Sequence, residues 1–137
     1  DPGASYEYSG TTHEPLPWTP PLLEIRARVE ALTGHRYNSV LLNLYRDGAD
    51  GMGWHADDER ALGRDPVIAS VSLGATRRFR LRHRRRRNVV TALDLDHGSL
   101  LLMSGPTQHH YVHALPKTAR AVGARINLTF RSVAIQP

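Results

Sequence analysis

The chain has 137 residues and no cysteine, so it is long enough for one compact domain and has neither disulfides nor thiolate metal ligands. A hydrophobic share of 40% with 23% charged residues is typical of a soluble globular protein. No apolar run approaches the roughly 18 residues of a membrane span and no secretory signal pattern opens the chain, so we expect no membrane contact.

The net charge of +5 is concentrated in one short window. The stretch from Arg77 to Arg87 holds eight of the 17 arginines and no acidic residue, and removing those eight charges leaves the rest of the chain at −3. A local basic patch favours a polyanionic partner. The alternative is a solvated surface, which is the default for charges at the tip of a hairpin.

The first third of the chain predicts an edge strand and one helix. Residues 6–8, with two tyrosines on one face, lie in an extended segment rich in glycine, threonine and proline. Thr19 is a suitable N-cap, the two prolines after it fit a first helical turn, and Gly34 is a suitable stop. Apolar residues recur on one face between them, which predicts a helix over 19–33.

After this helix the pattern changes to short strands. Apolar runs and alternating polar and apolar residues predict strands over 37–45, 66–74, 77–83, 89–95, 99–104 and 125–131, with a hairpin tip at 84–88. So many short strands after one helix predict a mainly β fold of the sandwich or jelly-roll type. We expect a single domain over 1–137 with its jelly-roll core at 37–133.

A histidine and a carboxylate two residues apart, His55 and Asp57, are candidate metal ligands. On extended backbone they point to the same side. Two imidazoles, one carboxylate and open positions suit non-haem Fe(II). The third ligand would be a distant histidine, for which His109, His110 and His113 are available. The alternative is a polar turn without a metal.

The last predicted strand carries an unusual face. Arg125, Asn127 and Arg131 alternate with apolar residues, and turned inward such a face needs a bound anion. The two arginines stand roughly 20 Å apart along an extended strand, so side chains folding toward each other could grip both ends of a small dicarboxylate. Asn43 and Tyr45 share one face of an earlier strand and are further donors. The alternative is that the arginines face outward.

The order of these motifs resembles the AlkB-type Fe(II)- and 2-oxoglutarate-dependent dioxygenases, most closely the members that dealkylate nucleic acid. The resemblance runs over nearly the whole chain. It rests on His-x-Asp, on a later histidine within Tyr-x-His-x-Leu-Pro, on the closing Arg-x-Asn-x-Thr-x-Arg strand, and on the shorter runs Tyr6-Glu7-Tyr8-Ser9-Gly10, Asn43-Leu44-Tyr45, Asp57-Asp58-Glu59 and Ser72 to Arg77.

The resemblance implies a double-stranded β-helix and a set of site residues. His55, Asp57 and His113 match the iron ligands and would be the catalytic residues. Arg125 with Asn43 and Tyr45 would hold the distal carboxylate of 2-oxoglutarate. Arg131 with Asn127 would hold the carboxylate beside the keto group.

The resemblance also implies a substrate site. Tyr8, with Tyr6 beside it, matches an aromatic that stacks on the substrate base, and residues 1–18 would cover the substrate. Asp58, with Glu59, matches acidic groups that read the exocyclic amine of a methylated base. Arg77 and Arg78 would contact the nucleic acid.

The function implied is oxidative demethylation of N-alkylated bases such as 1-methyladenine and 3-methylcytosine in DNA. It would use Fe(II), 2-oxoglutarate and O₂ and release formaldehyde, succinate and CO₂. The alternatives are the same chemistry on RNA or protein, and a non-enzymatic jelly-roll module that binds a polyanion. We expect a monomer, cytoplasmic in a bacterium or nuclear in a eukaryote.

Overall fold

A computed structural model of the chain describes residues 6–8, 11–13, 17–58 and 62–134, with the backbone alone described for 6–8 and 11–13. In chain order its elements are β1 (Tyr6–Tyr8), β2 (Thr11–His13), α1 (Pro20–Thr33), β3 (Ser39–Tyr45), β4 (Met52–His55), β5 (Ile68–Gly74), β6 (Arg77–His83), β7 (Val90–Leu95), β8 (Leu100–Met103), α2 (Thr107–His110), β9 (Tyr111–Leu115) and β10 (Arg125–Arg131). The first two strands pair with each other antiparallel.

The other eight strands form two antiparallel sheets of four strands each. The major sheet has the order β3-β10-β5-β8, and the minor sheet has the order β4-β9-β6-β7. Strands distant in sequence are therefore neighbours, and the last strand lies inside the major sheet between β3 and β5. This interleaving of two sheets is a jelly roll, so the predicted fold class is confirmed.

Two apolar clusters hold these layers together. One lies between the two sheets and takes alternate side chains from both of them, including Ile68, Phe79, Met103 and Leu115. The other lies between α1 and the outer face of the major sheet, where Phe130 is fully buried. Because side chains alternate along a strand, β10 places Leu128 and Phe130 in the cluster under the helix and its odd-numbered residues between the sheets, while Ile126 near its start is 39% exposed.

The predicted helix at 19–33 corresponds to α1. Thr19 precedes it in extended conformation, although its side chain makes no capping hydrogen bond, and the prolines occupy the first turn. Gly34 ends the helix at φ +72°, in the left-handed region that glycine adopts without strain, and donates its amide to the Glu30 carbonyl at 2.9 Å. Neither helix in the described part of the chain has the length and apolar character that a membrane-spanning helix needs.

The sequence patterns left β2, β4, α2 and β9 without an assignment. β4 has only four residues, and its pairing with β9 shifts register between Met52 and His55, so no long alternation marks it. The segment 46–51 therefore leads into a strand that places His55 opposite His113 on β9.

Candidate active site

Two neighbouring strands of the minor sheet bring the three predicted metal ligands together. His55 ends β4, Asp57 follows two residues later, and His113 lies in the middle of β9 directly across from His55. One ligand atom from each lies within 4.8 Å of the others. The Asp57 carboxylate faces both rings, at 3.9 Å from Nε2 of His55 and 3.8 Å from Nε2 of His113.

The surroundings of both histidines suit a metal. Nδ1 of His55 lies 2.9 Å from the Gly53 carbonyl, which can only accept, so Nδ1 is the donor in this contact and Nε2 is the nitrogen that faces Asp57. Burial lowers the pKa of His113 to about 4, and the positive charge of a protonated His55 would act in the same direction. His113 is therefore neutral near pH 7, as a metal ligand must be. Two imidazoles and a buried carboxylate fit a ferrous ion.

The competing histidines point elsewhere. His109 bonds to the Arg64 carbonyl and faces Asp65 at 3.1 Å, near the surface. His110 stacks on His83, with ring centroids 6.3 Å apart. Neither lies in the cluster around Asp57, so of the three candidates only His113 lies with His55 and Asp57.

A cavity between the sheets extends from these ligands along the inner face of the major sheet. It is lined by the three metal-ligand candidates together with Asn43, Tyr45, Met52, Ser70, Phe79, Met103, Leu115, Arg125, Asn127, Thr129 and Arg131. All five residues predicted to bind 2-oxoglutarate are among them. The alternative that the arginines of the last strand face outward is wrong, because the odd-numbered residues of β10 all line this cavity.

Two buried arginines stand at different places along this face. Arg131 donates to the Asp57 carboxylate at 3.2 Å, beside the metal-ligand candidates. Arg125, which is 3% exposed, donates to the Ser72 hydroxyl at 2.9 Å and lies over the Tyr45 ring at 5.1 Å. Burial raises the pKa of the Tyr45 hydroxyl, while the Arg125 charge beside it acts in the opposite direction.

Arg125 supplies the observation that calls for an anion. Burial lowers the pKa of its guanidinium, the direction expected for a cation held away from water. Its Nε has no hydrogen-bond partner, and it forms no ion pair with any carboxylate of the described residues. A buried cation without a counter-charge is unfavourable. A carboxylate bound in the cavity would supply both the charge and the acceptor, so the site fits a dicarboxylate co-substrate.

Four residues of the site have no role in the sequence prediction. Ser72 bonds Arg125, Ser70 accepts from the Asn127 amide at 2.7 Å, and Thr129 donates to Asn127 at 2.7 Å. Ser70 and Ser72 alternate along an otherwise apolar strand, a signal that places both on one face. The fourth is Gln108, which accepts from the Asp57 backbone amide at 2.8 Å. No periodicity marks it.

Only some of the residues predicted to contact the substrate have side chains that the structure describes. Asp58 lies beside the metal-ligand candidates in sequence and pairs with Arg84 at 3.1 Å. Arg78 is exposed and pairs with Asp94 at 3.4 Å. Tyr6 and Tyr8 lie on β1, but their side chains and the whole of Glu59 fall outside the described residues.

Arg77 differs from its expected role as a substrate contact. It is 2% exposed, and its guanidinium donates to the backbone carbonyls of Asp47, Asp50 and Pro116 at 2.8–3.2 Å. These bonds tie the β3–β4 loop to the end of β9. Its donors are thus engaged inside the protein, and we correct the expectation to a loop-holding role.

Comparison with known proteins defines the class. A family model described as the 2OG-Fe(II) oxygenase superfamily matches residues 1–131, so the chain belongs to this superfamily. Fe(II), 2-oxoglutarate and O₂ are accordingly its metal and co-substrates, as predicted.

Similarity to individual proteins narrows the class to the AlkB type, and the predicted resemblance is confirmed. The chain is 49% identical over 140 residues to DNA oxidative demethylase ALKBH2 of Mus musculus, covering 97% of this chain and 59% of that protein. It is 46% identical to the Homo sapiens ALKBH2 over 97% of this chain and 54% of that protein. It is 45% identical to alpha-ketoglutarate-dependent dioxygenase alkB homolog 3 of Rattus norvegicus, covering 96% and 48%.

The chain thus spans about half the length of the curated relatives it matches. Among solved structures, that of OsALKBH1 matches with a TM-score of 0.59 and 22% identity, over 72% of this chain and 49% of that one. This likeness supports the fold alone.

Proposed function

We propose that the chain is a dioxygenase domain that oxidatively dealkylates N-alkylated bases in nucleic acid, with DNA as the first candidate. The observation that carries the proposal is one buried cavity holding a His-Asp-His cluster at one end and a guanidinium without a counter-charge farther along. The relatives named as DNA oxidative demethylases support the choice of substrate.

His55, Asp57 and His113 hold the ferrous ion in this proposal. When bound with 2-oxoglutarate and O₂, the ion supplies the oxidation that converts an N-methyl group to N-hydroxymethyl, which leaves as formaldehyde, with succinate and CO₂ as co-products. The protein's part is to orient ligands and substrate and to exclude water. Gly53 fixes the His55 ring, and Arg131 fixes one oxygen of Asp57.

The two ends of the co-substrate go to the two buried arginines. Arg125, with Asn43 and Tyr45 around it, holds the distal carboxylate, because its Nε and its charge are available there. Arg131, with Asn127, holds the carboxylate nearer the ion. Ser72 orients the Arg125 guanidinium, and Ser70 with Thr129 fixes the Asn127 amide.

The substrate base lies over the open side of the metal-ligand cluster. In this proposal Tyr8, with Tyr6, would stack on one face of the base, and the His55 ring would lie against the other. Asp58 and Glu59 would accept hydrogen bonds from its exocyclic amine, and residues 1–18 would be the segment that covers the substrate. An alkylated base that cannot pair normally costs less to extract from its stack.

For the whole protein we propose an alkylated-DNA substrate, a monomeric state, and a nuclear location in a eukaryote or a cytoplasmic one in a bacterium. RNA is the second nucleic acid to be tested.

The substrate class is tested with oligonucleotides that carry one 1-methyladenine or 3-methylcytosine, as single strands, duplexes and RNA, with a methylated peptide as comparison. The purified chain receives Fe(II), 2-oxoglutarate and air, and formaldehyde and succinate are measured. Equal amounts of both products with methylated DNA support the proposal. If products form only with RNA or only with the peptide, that molecule replaces DNA as the proposed substrate. Oligonucleotide binding without any succinate release would indicate a binding module.

A further inference from the structure

The short helix α2 sends one buried side chain to the loop that carries the metal-ligand candidate Asp57. Gln108 is 1% exposed, and its Oε1 accepts the Asp57 backbone N–H at 2.8 Å. The other end of its amide, Nε2, lies 3.6 Å from the Met103 sulfur. The Gln108 side chain therefore holds the backbone of Asp57 from inside the protein, 51 residues away in sequence.

An arginine from the hairpin completes the arrangement. Nη2 of Arg84 donates to the Gln108 carbonyl at 2.7 Å and to Oδ2 of Asp58 at 3.1 Å. Its backbone amide donates to the His110 carbonyl at 2.8 Å, so the residue is anchored at both ends. Arg84 differs in this way from Arg85, Arg86 and Arg87, whose side chains extend from the exposed tip.

These contacts act on two adjacent carboxylates that have opposite surroundings. Asp57 is 2% exposed and faces the metal-ligand cluster, whereas the Asp58 side chain is 56% exposed. A small backbone rotation at this dipeptide would turn both carboxylates away at once. Holding the Asp57 amide on one side and the Asp58 carboxylate on the other prevents this rotation.

We propose that Gln108 and Arg84 are positioning residues for the reaction. Gln108 fixes the backbone of Asp57 so that its carboxylate stays on the ion, and Arg84 fixes Asp58 at the mouth of the site. Because Arg84 contacts Oδ2, Oδ1 is the oxygen presented to the amine of a base. Asp58 then acts as an oriented acceptor whose negative charge is partly offset by the guanidinium. This inference rests on the proposed function for Arg84, but for Gln108 only on the metal site.

The Gln108 half is tested by metal affinity, without nucleic acid. Gln108→Met keeps the length and the contact with Met103 but leaves the Asp57 amide without an acceptor, whereas Gln108→Glu keeps a side-chain oxygen there. Mn(II) is titrated into each metal-free variant and followed by electron paramagnetic resonance. We expect Gln108→Met to weaken Mn(II) binding about tenfold or more and Gln108→Glu to restore most of it.

Wild-type Mn(II) affinity in Gln108→Met overturns this half of the proposal. Equal losses in both variants, at an unchanged melting temperature, also overturn it, since the acceptor would then not be what matters. This measurement needs no turnover, so it stands even where the substrate class proves wrong.

The proposed role of Arg84 is tested by comparing two variants that each lose one positive charge. Arg84→Ala and Arg87→Ala each remove one positive charge from the same hairpin, but only the first frees Asp58. On a 1-methyladenine oligonucleotide we expect Arg84→Ala to lose about two- to fivefold more in kcat/KM than Arg87→Ala, the range of a partly exposed ion pair. Because Gln108 is intact, Mn(II) affinity should stay at the wild-type value.

Two further features mark a positioning role for Arg84. Its loss should increase the preference for cationic 1-methyladenine over a neutral alkylated base, because no guanidinium then offsets the negative charge of Asp58. Arg84→Lys should recover part of the loss by restoring the ion pair. Identical kinetics and identical base preference in Arg84→Ala and Arg87→Ala would overturn the proposal and leave Arg84 as a surface charge. If Gln108→Met fails to fold, the kinetics of the Arg84 variants still test the role of Arg84. The role of Gln108 is then tested by comparing the Mn(II) affinity of Gln108→Glu with that of Gln108→Ala.

Discussion

Two groups of arginines in this protein lie in opposite environments. On the inner face of β10, Arg125 and Arg131 are buried, and each is held by specific partners. On the outer face of β6 and the hairpin beyond it, Arg78 and Arg85 to Arg87 are exposed to water. A buried guanidinium that has neither a counter-charge nor a full set of acceptors, as at Arg125, indicates a ligand site, while an exposed one is compatible with solvent alone.

Arg77 and Arg84 show that sequence proximity does not assign an arginine to a region. Both belong to the basic window, yet Arg77 holds backbone carbonyls inside the protein and Arg84 reaches Asp58. The number of arginines between Arg77 and Arg87 therefore overstates how much positive charge is exposed to a polyanion. The two regions can be separated by experiments that damage one and spare the other.

Removing the metal should have the largest effect and should act on the buried region alone. Chelation of Fe(II) should reduce formaldehyde release from methylated oligonucleotide below detection, and added Fe(II) should restore it. Oligonucleotide affinity, measured by fluorescence anisotropy, should not change, because the exposed arginines do not depend on the ion. Turnover that persists after complete chelation would contradict the metal site.

Changing the buried arginines should have the next largest effect. Arg131→Lys keeps the charge but loses the planar fork, and Arg125→Ala removes the cation that Tyr45 and Ser72 position. The loss of a charged hydrogen bond predicts a rise in the KM for 2-oxoglutarate of about 10- to 150-fold. Oligonucleotide affinity serves as the control and should stay the same. An unchanged KM for 2-oxoglutarate in both variants would show that the co-substrate does not bind at the inner face of β10.

A smaller effect is expected from Ser72, which contacts the co-substrate site only through Arg125. Ser72→Ala leaves the guanidinium in place but removes one neutral partner, worth about 0.5–1.5 kcal/mol. The KM for 2-oxoglutarate should rise about two- to tenfold while kcat stays near the wild-type value. A fall in kcat at constant KM would show that Ser72 acts on the reaction by another route.

The exposed region is tested by the salt dependence of binding. Replacing Arg85, Arg86 and Arg87 together with alanine, while keeping Arg84, should flatten the log–log salt slope by roughly 0.7–0.9 for each phosphate that an arginine no longer neutralises. Uncoupled 2-oxoglutarate decarboxylation should survive, because these side chains do not line the cavity. An unchanged salt slope would mean that the tip is merely solvated, and that Arg78 and Arg80 are the next arginines to test.

The sequence predicts the inner face of β10 well because the alternation of its residues carries the information. Four polar residues at odd positions must share a face, and the family resemblance then assigns their roles. The pattern failed where the contacts are tertiary. Gln108 meets Asp57 through a four-residue helix, and that contact leaves no period in the sequence. Arg77 shares a face of β6 with Phe79, so the alternation does place it inward, but its backbone-carbonyl partners lie in distant loops that the pattern does not reveal.

The helix and the strands show the same contrast between local signals, which can be read from the sequence, and long-range contacts, which cannot. Capping residues and apolar spacing placed α1 to within a residue, since those signals are local. β4 is short and irregularly paired, so its position depends on β9, which lies about 60 residues later in the chain. The metal-ligand geometry arises from that pairing, because His55 and His113 are opposite each other across the two strands.

Formaldehyde release by Asp57→Ala tests the central claim most directly, because Asp57 lies at the centre of the metal-ligand cluster. Its carboxylate faces both histidines and binds Arg131, while its amide is held by Gln108. With a 1-methyladenine oligonucleotide, Fe(II) and 2-oxoglutarate, the wild-type chain should release formaldehyde and the folded Asp57→Ala variant, verified by circular dichroism, should release none. Full activity in that variant would contradict the assignment of the metal site.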